Sequence, residues 1–323
     1  MNCSRRGFLH TGAGLAAAAS APLLAGCAGL SPRAPTGARV ADGVYRVRLG
    51  KATITAIADG VAVRPLNDDS FVRNASLAQV QQALREAQLP TDQVTIPFTA
   101  FLVEIDGRRL LIDAGNGQFG APTSGRLLAN LQAAGLQADA VDDVLISHFH
   151  GDHINGLRDK AGQLSFPKAR IHVPAAEWDF WMNDANMAKA PAAMRGAFQA
   201  PRRVFGPIAG QVHKLAAGAS PAPGLTALAA YGHTPGHTAY LLESGGQTWA
   251  FLADFANIAQ LFVRNPDWAV AFDMDAEMAR TTRRRLLERA MASNWLVSGY
   301  HMPFPAIGRI ERRGAGYEFV AMR

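Results

Sequence analysis

Apolar and polar positions alternate with a period of two over residues 44–49 and again over 52–58. The two runs meet at Gly50, which predicts a hairpin. A helical period follows, starting at Ser76 and running through Leu77, Val80, Leu84 and Ala87 until Pro90 stops it. Residues 98–105 and 109–112 return to strand-like patterning around Asp106-Gly107, a second hairpin signal. A helix is predicted over 126–134, with Gly135 as its stop. The apolar run 141–147 then reads as a buried strand that ends at His148. Further strands are predicted at 170–173, 225–230, 239–243, 248–253 and 295–297, with a long helix over 276–292 and a closing hairpin from 308–312 and 317–321. Hairpins first, then strands alternating with helices, predict a layered α/β fold.

Residues 1–26 stand outside that pattern. Arg5-Arg6-Gly7-Phe8-Leu9 precedes an apolar run from Leu15 to Ala25, shorter than the ~20 residues a membrane span needs. The paired arginines resemble a twin-arginine export signal, and Leu24-Ala25-Gly26-Cys27 resembles a bacterial lipobox. These features predict an exported, periplasmic protein, lipid-anchored at Cys27, that touches a membrane only through that lipid. Residues 27–42 read as a flexible tether and 43–323 as one domain.

Cysteine usage narrows the chemistry. Cys3 and Cys27 are the only two, so the body has no disulfide, thiolate ligand or thiol nucleophile. The formal charge of +6 falls to +4 without residues 1–26, and no Lys/Arg tract is interleaved with aromatics, so nucleic acid is not an expected partner. Arg283-Arg284-Arg285 lies in a helical pattern and reads as a solvated face. Oligomers are compatible with the sequence.

The segment His148-Phe149-His150-Gly151-Asp152-His153 places four metal-ligand types in six positions. Imidazoles and carboxylates suit zinc, iron or manganese. The segment resembles the signature of the metallo-β-lactamase superfamily, which implies a four-layered αββα sandwich. Other features fall in the order that resemblance expects. They are Asp113 in Leu111-Ile112-Asp113-Ala114-Gly115, the turn Gly232-His233-Thr234-Pro235-Gly236-His237-Thr238, Asp254 after Phe251-Leu252-Ala253, and His301 after Gly299-Tyr300.

The resemblance implies two divalent metal ions, zinc foremost. His148, His150 and His237 would hold one; Asp152, His153 and His301 the other; Asp254 would bridge them. Asp113 and His233 would support these ligands from behind. A hydroxide between metals about 3.5–4 Å apart is a nucleophile at neutral pH, with Asp152 or Asp254 moving a proton to the leaving group. His172, His213 and His10 carry no such context.

Departures from other branches narrow the reaction. A Cys ligand is absent, and His150 stands where the oxygen-reducing diiron branch has Glu. The region 232–244 and His301-Met302-Pro303-Phe304-Pro305 resemble the methyl parathion hydrolase group and its lactonase relatives. Quorum-quenching lactonases of this fold often carry a Tyr shortly after the bridging Asp; here Phe255-Ala256-Asn257 follows. Phe119, Trp178 and Trp181 are expected to wall an apolar pocket for a small neutral lactone, ester or phosphotriester. Alternatives are hydrolysis of a thioester, arylsulfate or β-lactam, or a metal-retaining lipoprotein without turnover.

Overall fold

The computed structural model describes residues 35–322. The expected export signal, His10 and Cys27 lie outside the described residues.

Two sheets carry the fold. The first has eight strands in sequence order: β1 (Thr36–Ala41), β2 (Val44–Leu49), β3 (Ala52–Pro65), β4 (Gln93–Ile105), β5 (Arg108–Ile112), β6 (Asp143–Leu145), β7 (Arg170–Pro174) and β8 (Val212–Leu215). The second has six: β9 (Leu225–Ala229), β10 (Thr238–Ser244), β11 (Gln247–Phe251), β12 (Leu296–Ser298), β13 (Ile307–Arg313) and β14 (Gly316–Ala321), ordered β14-β13-β12-β11-β10-β9. Their inner faces meet through buried aromatics. Phe101 of β4 lies 5.6 Å from Trp249 and 5.3 Å from Phe251 of β11. Such tilted pairs add to the apolar burial that drives the sheets together.

Helices α1 (Leu77–Glu86), α2 (Leu127–Ala133), α3 (Gly151–Ile154), α4 (Ala175–Trp181), α5 (Asp184–Lys189), α6 (Ala192–Arg195), α7 (Gln199–Phe205) and α8 (Ala276–Ala292) complete the chain. Ser76 and Gln79 close a capping box on α1, which explains its sharp start. Asp275 caps α8 by accepting from the Met278 amide. With α2 against β3 and α8 against β13, the layers are those of a metallo-β-lactamase αββα sandwich.

Most pairings are antiparallel, but β5 through β8 run parallel, as do β11 and β12. These parallel steps decide where chemistry collects, because ligands bind beyond the carboxyl ends of parallel strands. Ile112 of β5 pairs with Leu145 of β6, so Asp113 and Ser147 emerge side by side. Phe251 of β11 pairs with Ser298 of β12, so Asp254 and His301 emerge together.

Three expectations change. The tether 27–42 is too long, because Thr36–Ala41 pairs with β2 as an edge strand. The helices from Ala175 to Phe205 and strand β8 carry short, mixed patterns that periodicity does not resolve. Arg283 is no solvated residue. It is 1% exposed, and its guanidinium bonds the carbonyls of Phe255, Pro266 and Trp268 and the carboxylate of Asp273.

Candidate metal centre

Each histidine is oriented by a bond at one ring nitrogen that leaves the other facing a common space. His148 follows β6 and donates from Nδ1 to Ser147 Oγ at 3.0 Å. Ser147 in turn bonds Asp113 through both its amide and its hydroxyl, each at 2.8 Å. Asp113 also receives His153 Nδ1 at 2.8 Å. Asp113 itself sits at φ 64°, a left-handed conformation uncommon for Asp. The bonds it makes from there fix two histidines at once. His301 donates from Nδ1 to the Pro97 carbonyl at 2.8 Å.

The Gly232–Thr238 turn supplies the main correction. His237 has both ring nitrogens engaged: Nδ1 with the Ala230 carbonyl at 2.9 Å, and Nε2 accepting the Asp254 amide at 3.0 Å. It holds the backbone of Asp254 and has no nitrogen left for a cation. His233 takes the place expected for it. Its Nδ1 donates to Asp273 at 2.9 Å, and its Nε2 lies 3.0 Å from His150 Nδ1 and 3.2 Å from Asp254 Oδ2. A carboxylate behind the distal nitrogen is the usual support of a metal-binding imidazole. Buried Arg283 pairs with Asp273 in its turn.

Two groups of donor atoms result, each with its atoms within 4.8 Å of one another. One is His148, His150, His233 and Asp254; the other is Asp152, His153 and His301. Asp254 lies between them. Its Oδ2 is 3.8 Å from His148 Nε2 and 2.9 Å from His301 Nε2, and its Oδ1 is 3.3 Å from His153 Nε2. Asp152 Oδ2 is 3.4 Å from His153 Nε2 and 3.5 Å from His301 Nε2. His148 Nε2, His153 Nε2 and Asp254 Oδ1 are sealed from solvent without a hydrogen-bond partner. Native proteins rarely leave buried polar atoms so, and a divalent cation satisfies this donor set.

Electrostatics tell the same story. Burial disfavours charge on imidazole and holds His150 and His237 near 3 and His148 well below its usual value. Burial also opposes charge on His233, but Asp254 and Asp273 outweigh it and raise that group to about 9. Against the same desolvation, His301 and His153 keep Asp254 far below the usual carboxylate range.

Glu177 of α4 escaped the sequence reading. It is fully buried; one oxygen accepts the Phe149 amide and Trp181 Nε1, each at 2.8 Å, and the other accepts the Gly236 amide at 2.6 Å. It thereby ties the His148–His150 segment to the His233–His237 turn. The turn must pass close: a Cβ on Gly236 would stand 2.3 Å from the Glu177 amide. A single acid in Ala175-Ala176-Glu177-Trp178 carries no local signal of that role.

A cavity of about 370 Å³ opens over the donors, with Ala62, Ile96, Phe98, Asn257 and Phe272 in its walls. A groove of about 800 Å³ adjoins it through His150 and Phe272 and is walled partly by Phe180, Trp181 and Met194. Of the expected aromatics, only Trp181 reaches this region, 6.3 Å from the His150 ring. Phe119 instead lies under the Arg203 guanidinium at 3.7 Å, and Trp178 lies under Lys214 at 4.8 Å. Both serve cation–π packing away from the donors.

Comparison with known proteins agrees with this geometry. The dizinc quorum-quenching lactonase AidC, solved with a homoserine product, is 26% identical with a TM-score of 0.81, covering 87% of this chain and 98% of that one. The hydrolase AbOPH of the beta lactamase superfamily gives the same figures. A probable metal-dependent hydrolase from Staphylococcus aureus shares the fold at 22% identity and a TM-score of 0.66, covering 79% of this chain and 91% of that one. The anti-Pycsar protein Apyc1 of Saccharibacillus brassicae is 36% identical over 86 residues, 25% of this chain and 32% of that protein, so the match spans about a third of the relative. Residues 98–301 match the metallo-beta-lactamase superfamily, a span that holds every donor above, and the chain belongs to that superfamily.

Proposed function

We propose that this chain is a dinuclear metal-dependent hydrolase of small neutral lactones or esters. The observation that carries the reading is the set of sealed, unpartnered donor atoms on His148, His153 and Asp254 at the floor of an open cavity. In this reading His148, His150 and His233 hold one cation, Asp152, His153 and His301 hold the other, and Asp254 serves both. Zinc is the favoured metal, since AidC is described as a dizinc enzyme and His/Asp donor sets suit it.

Bound divalent cations supply Lewis acidity and lower the pKa of water toward neutrality. The chain supplies the rest. Asp113, Asp273 and the Pro97 carbonyl fix the tautomers of His153, His233 and His301, so that Nε2 of each stays turned to the cavity. His153 holds Asp152 at about 2 against the cost of its burial, so its carboxylate is ionised and able to accept a proton and pass it to a leaving oxygen. Phe98, Ile96 and Phe272 exclude water from the reacting bond.

The walls favour a neutral substrate. Neither Lys nor Arg lines the cavity over the donors, which suits a lactone or ester better than a polyanion. AidC was solved with a homoserine product, which puts N-acyl homoserine lactones first among candidates. A phosphotriester remains the second candidate of the same charge class. The purified protein should hold two metals per chain and open an N-acyl homoserine lactone faster than it cleaves an aryl ester, methyl paraoxon or a β-lactam. One metal or none, with no chelator-sensitive hydrolysis, sinks the reading. Export through residues 1–26 and lipidation at Cys27 belong to the same proposal; mass spectrometry of the mature N-terminus tests them.

A further inference from the structure

Asn257 stands apart from every other wall residue of the metal cavity. Of the lining side chains outside the donor set, it alone is polar; the others are Ala62, Ile96, Phe98, Gly151 and Phe272. It is 3% exposed, and its Oδ1 is sealed without a partner. No hydrogen bond reaches its carboxamide from any of the described residues. A buried carboxamide with no partner calls for an explanation outside ordinary packing.

The loop that carries it is not loose. Phe255, Ala256 and Ile258 are all buried, and Arg283 Nε holds the Phe255 carbonyl at 2.7 Å. The carboxamide is thus fixed in place three residues after Asp254, on the wall of the space where substrate must sit. Hydrogen-bond donors held still before the reaction stabilise charge as it develops, because they need no reorganisation.

We infer that Asn257 is a substrate-contacting catalytic residue, donating from Nδ2 to the carbonyl oxygen of a bound lactone or ester as that oxygen gains negative charge. This rests on the hydrolase reading above. An amide donor cannot be replaced there by the apolar wall. It stays neutral at every working pH, so it leaves the charge balance of the donors untouched. It also favours a carbonyl substrate over one with no acceptor oxygen at the reacting centre.

The test uses metal-loaded protein in which Asn257→Leu and Asn257→Ala are compared with the unaltered chain. Metal content, thermal midpoint, kcat and KM are measured with N-hexanoyl homoserine lactone, and binding of ring-opened N-hexanoyl homoserine by calorimetry. Both variants should keep two metals and an unchanged or higher midpoint, because no protein hydrogen bond is lost. Their kcat should fall about 100-fold or more, with KM within about threefold. A kcat within about threefold of the unaltered chain overturns the inference. So does loss of metal or a lowered midpoint in both variants, which would make Asn257 a structural residue. If the unaltered chain binds product but turns nothing over, the hydrolase reading fails while Asn257 is still judged, since the variants must then bind product more weakly. A chain that does neither sinks both.

Discussion

Strand β6 is three residues long and has a cluster of buried charge at each end, and the two clusters are built on opposite rules. At its start, Asp143 is fully buried and surrounded by partners. Arg108 bonds Oδ2, Arg170 Nε reaches Oδ1 at 2.9 Å, and His172 Nε2 reaches Oδ1 at 2.8 Å. Both carboxylate oxygens are satisfied, and only the second ring nitrogen of His172 lacks a partner. Beyond the end of β6, His148, His153 and Asp254 hold their unpartnered atoms toward one cavity. The first cluster is closed and serves the sheet. The second is open, and its cost in unsatisfied groups makes sense only if something binds there.

The largest effect should come from breaking the open cluster at its shared member. Asp254→Ala removes the carboxylate that faces both donor groups. Metal content should fall below two per chain and hydrolysis by at least about a thousandfold. Normal turnover with full metal would remove Asp254 from between the two groups.

The next test separates two histidines four residues apart. His233→Ala should lose metal and activity with a modest change in thermal stability. His237→Ala should act through the backbone: the Asp254 amide and the Ala230 carbonyl both lose a buried partner, worth about 1–3 kcal/mol each. Its thermal midpoint should fall, while metal supplied in excess restores part of its activity. Equal metal loss in both variants, with no difference in stability, would erase this distinction.

That pair also marks where the sequence stopped being informative. His148, His150, Asp152, His153, Asp254 and His301 were legible because each sits at a strand end or in a dense local motif. His233 and His237 were not separable, because the turn places both near the centre and only the partners of their ring nitrogens differ. Asp273 and Glu177, which hold that turn from behind, come from distant segments with no pattern of their own. The wall aromatics failed for the same reason. Phe98 and Phe272 lie 174 positions apart in the chain and meet only through the fold, whereas Trp178 and Phe119 looked suitable by type alone.

The closed cluster should respond in stability and not in function. Asp143→Asn leaves Arg108 and Arg170 in place, and both side chains reach solvent, so screening limits the loss to about 1–3 kcal/mol. Two metals and near-normal kcat should remain. Loss of metal in this variant would mean that β6 transmits strain from one end to the other.

Acid should separate the two ends by the pH at which each fails. In the metal-free protein His233 titrates at about 9, because Asp254 and Asp273 overcome the cost of its burial. Below that value a proton occupies the nitrogen a cation needs, so metal uptake strengthens as pH rises toward 9 and weakens as it falls. Asp143 has the opposite sign. Although burial raises it, Arg108, His172 and Arg170 together hold it below the ordinary carboxylate value. Its contribution to stability is therefore complete above about pH 4 and is lost only as pH falls through the depressed value. Between these windows, near pH 5, the chain should be folded yet poor in metal. Metal content and far-ultraviolet circular dichroism, followed together after dialysis from pH 8 to pH 3, test this. Metal and fold lost at the same pH would show that the open cluster, once filled, holds the molecule together as much as the closed one does.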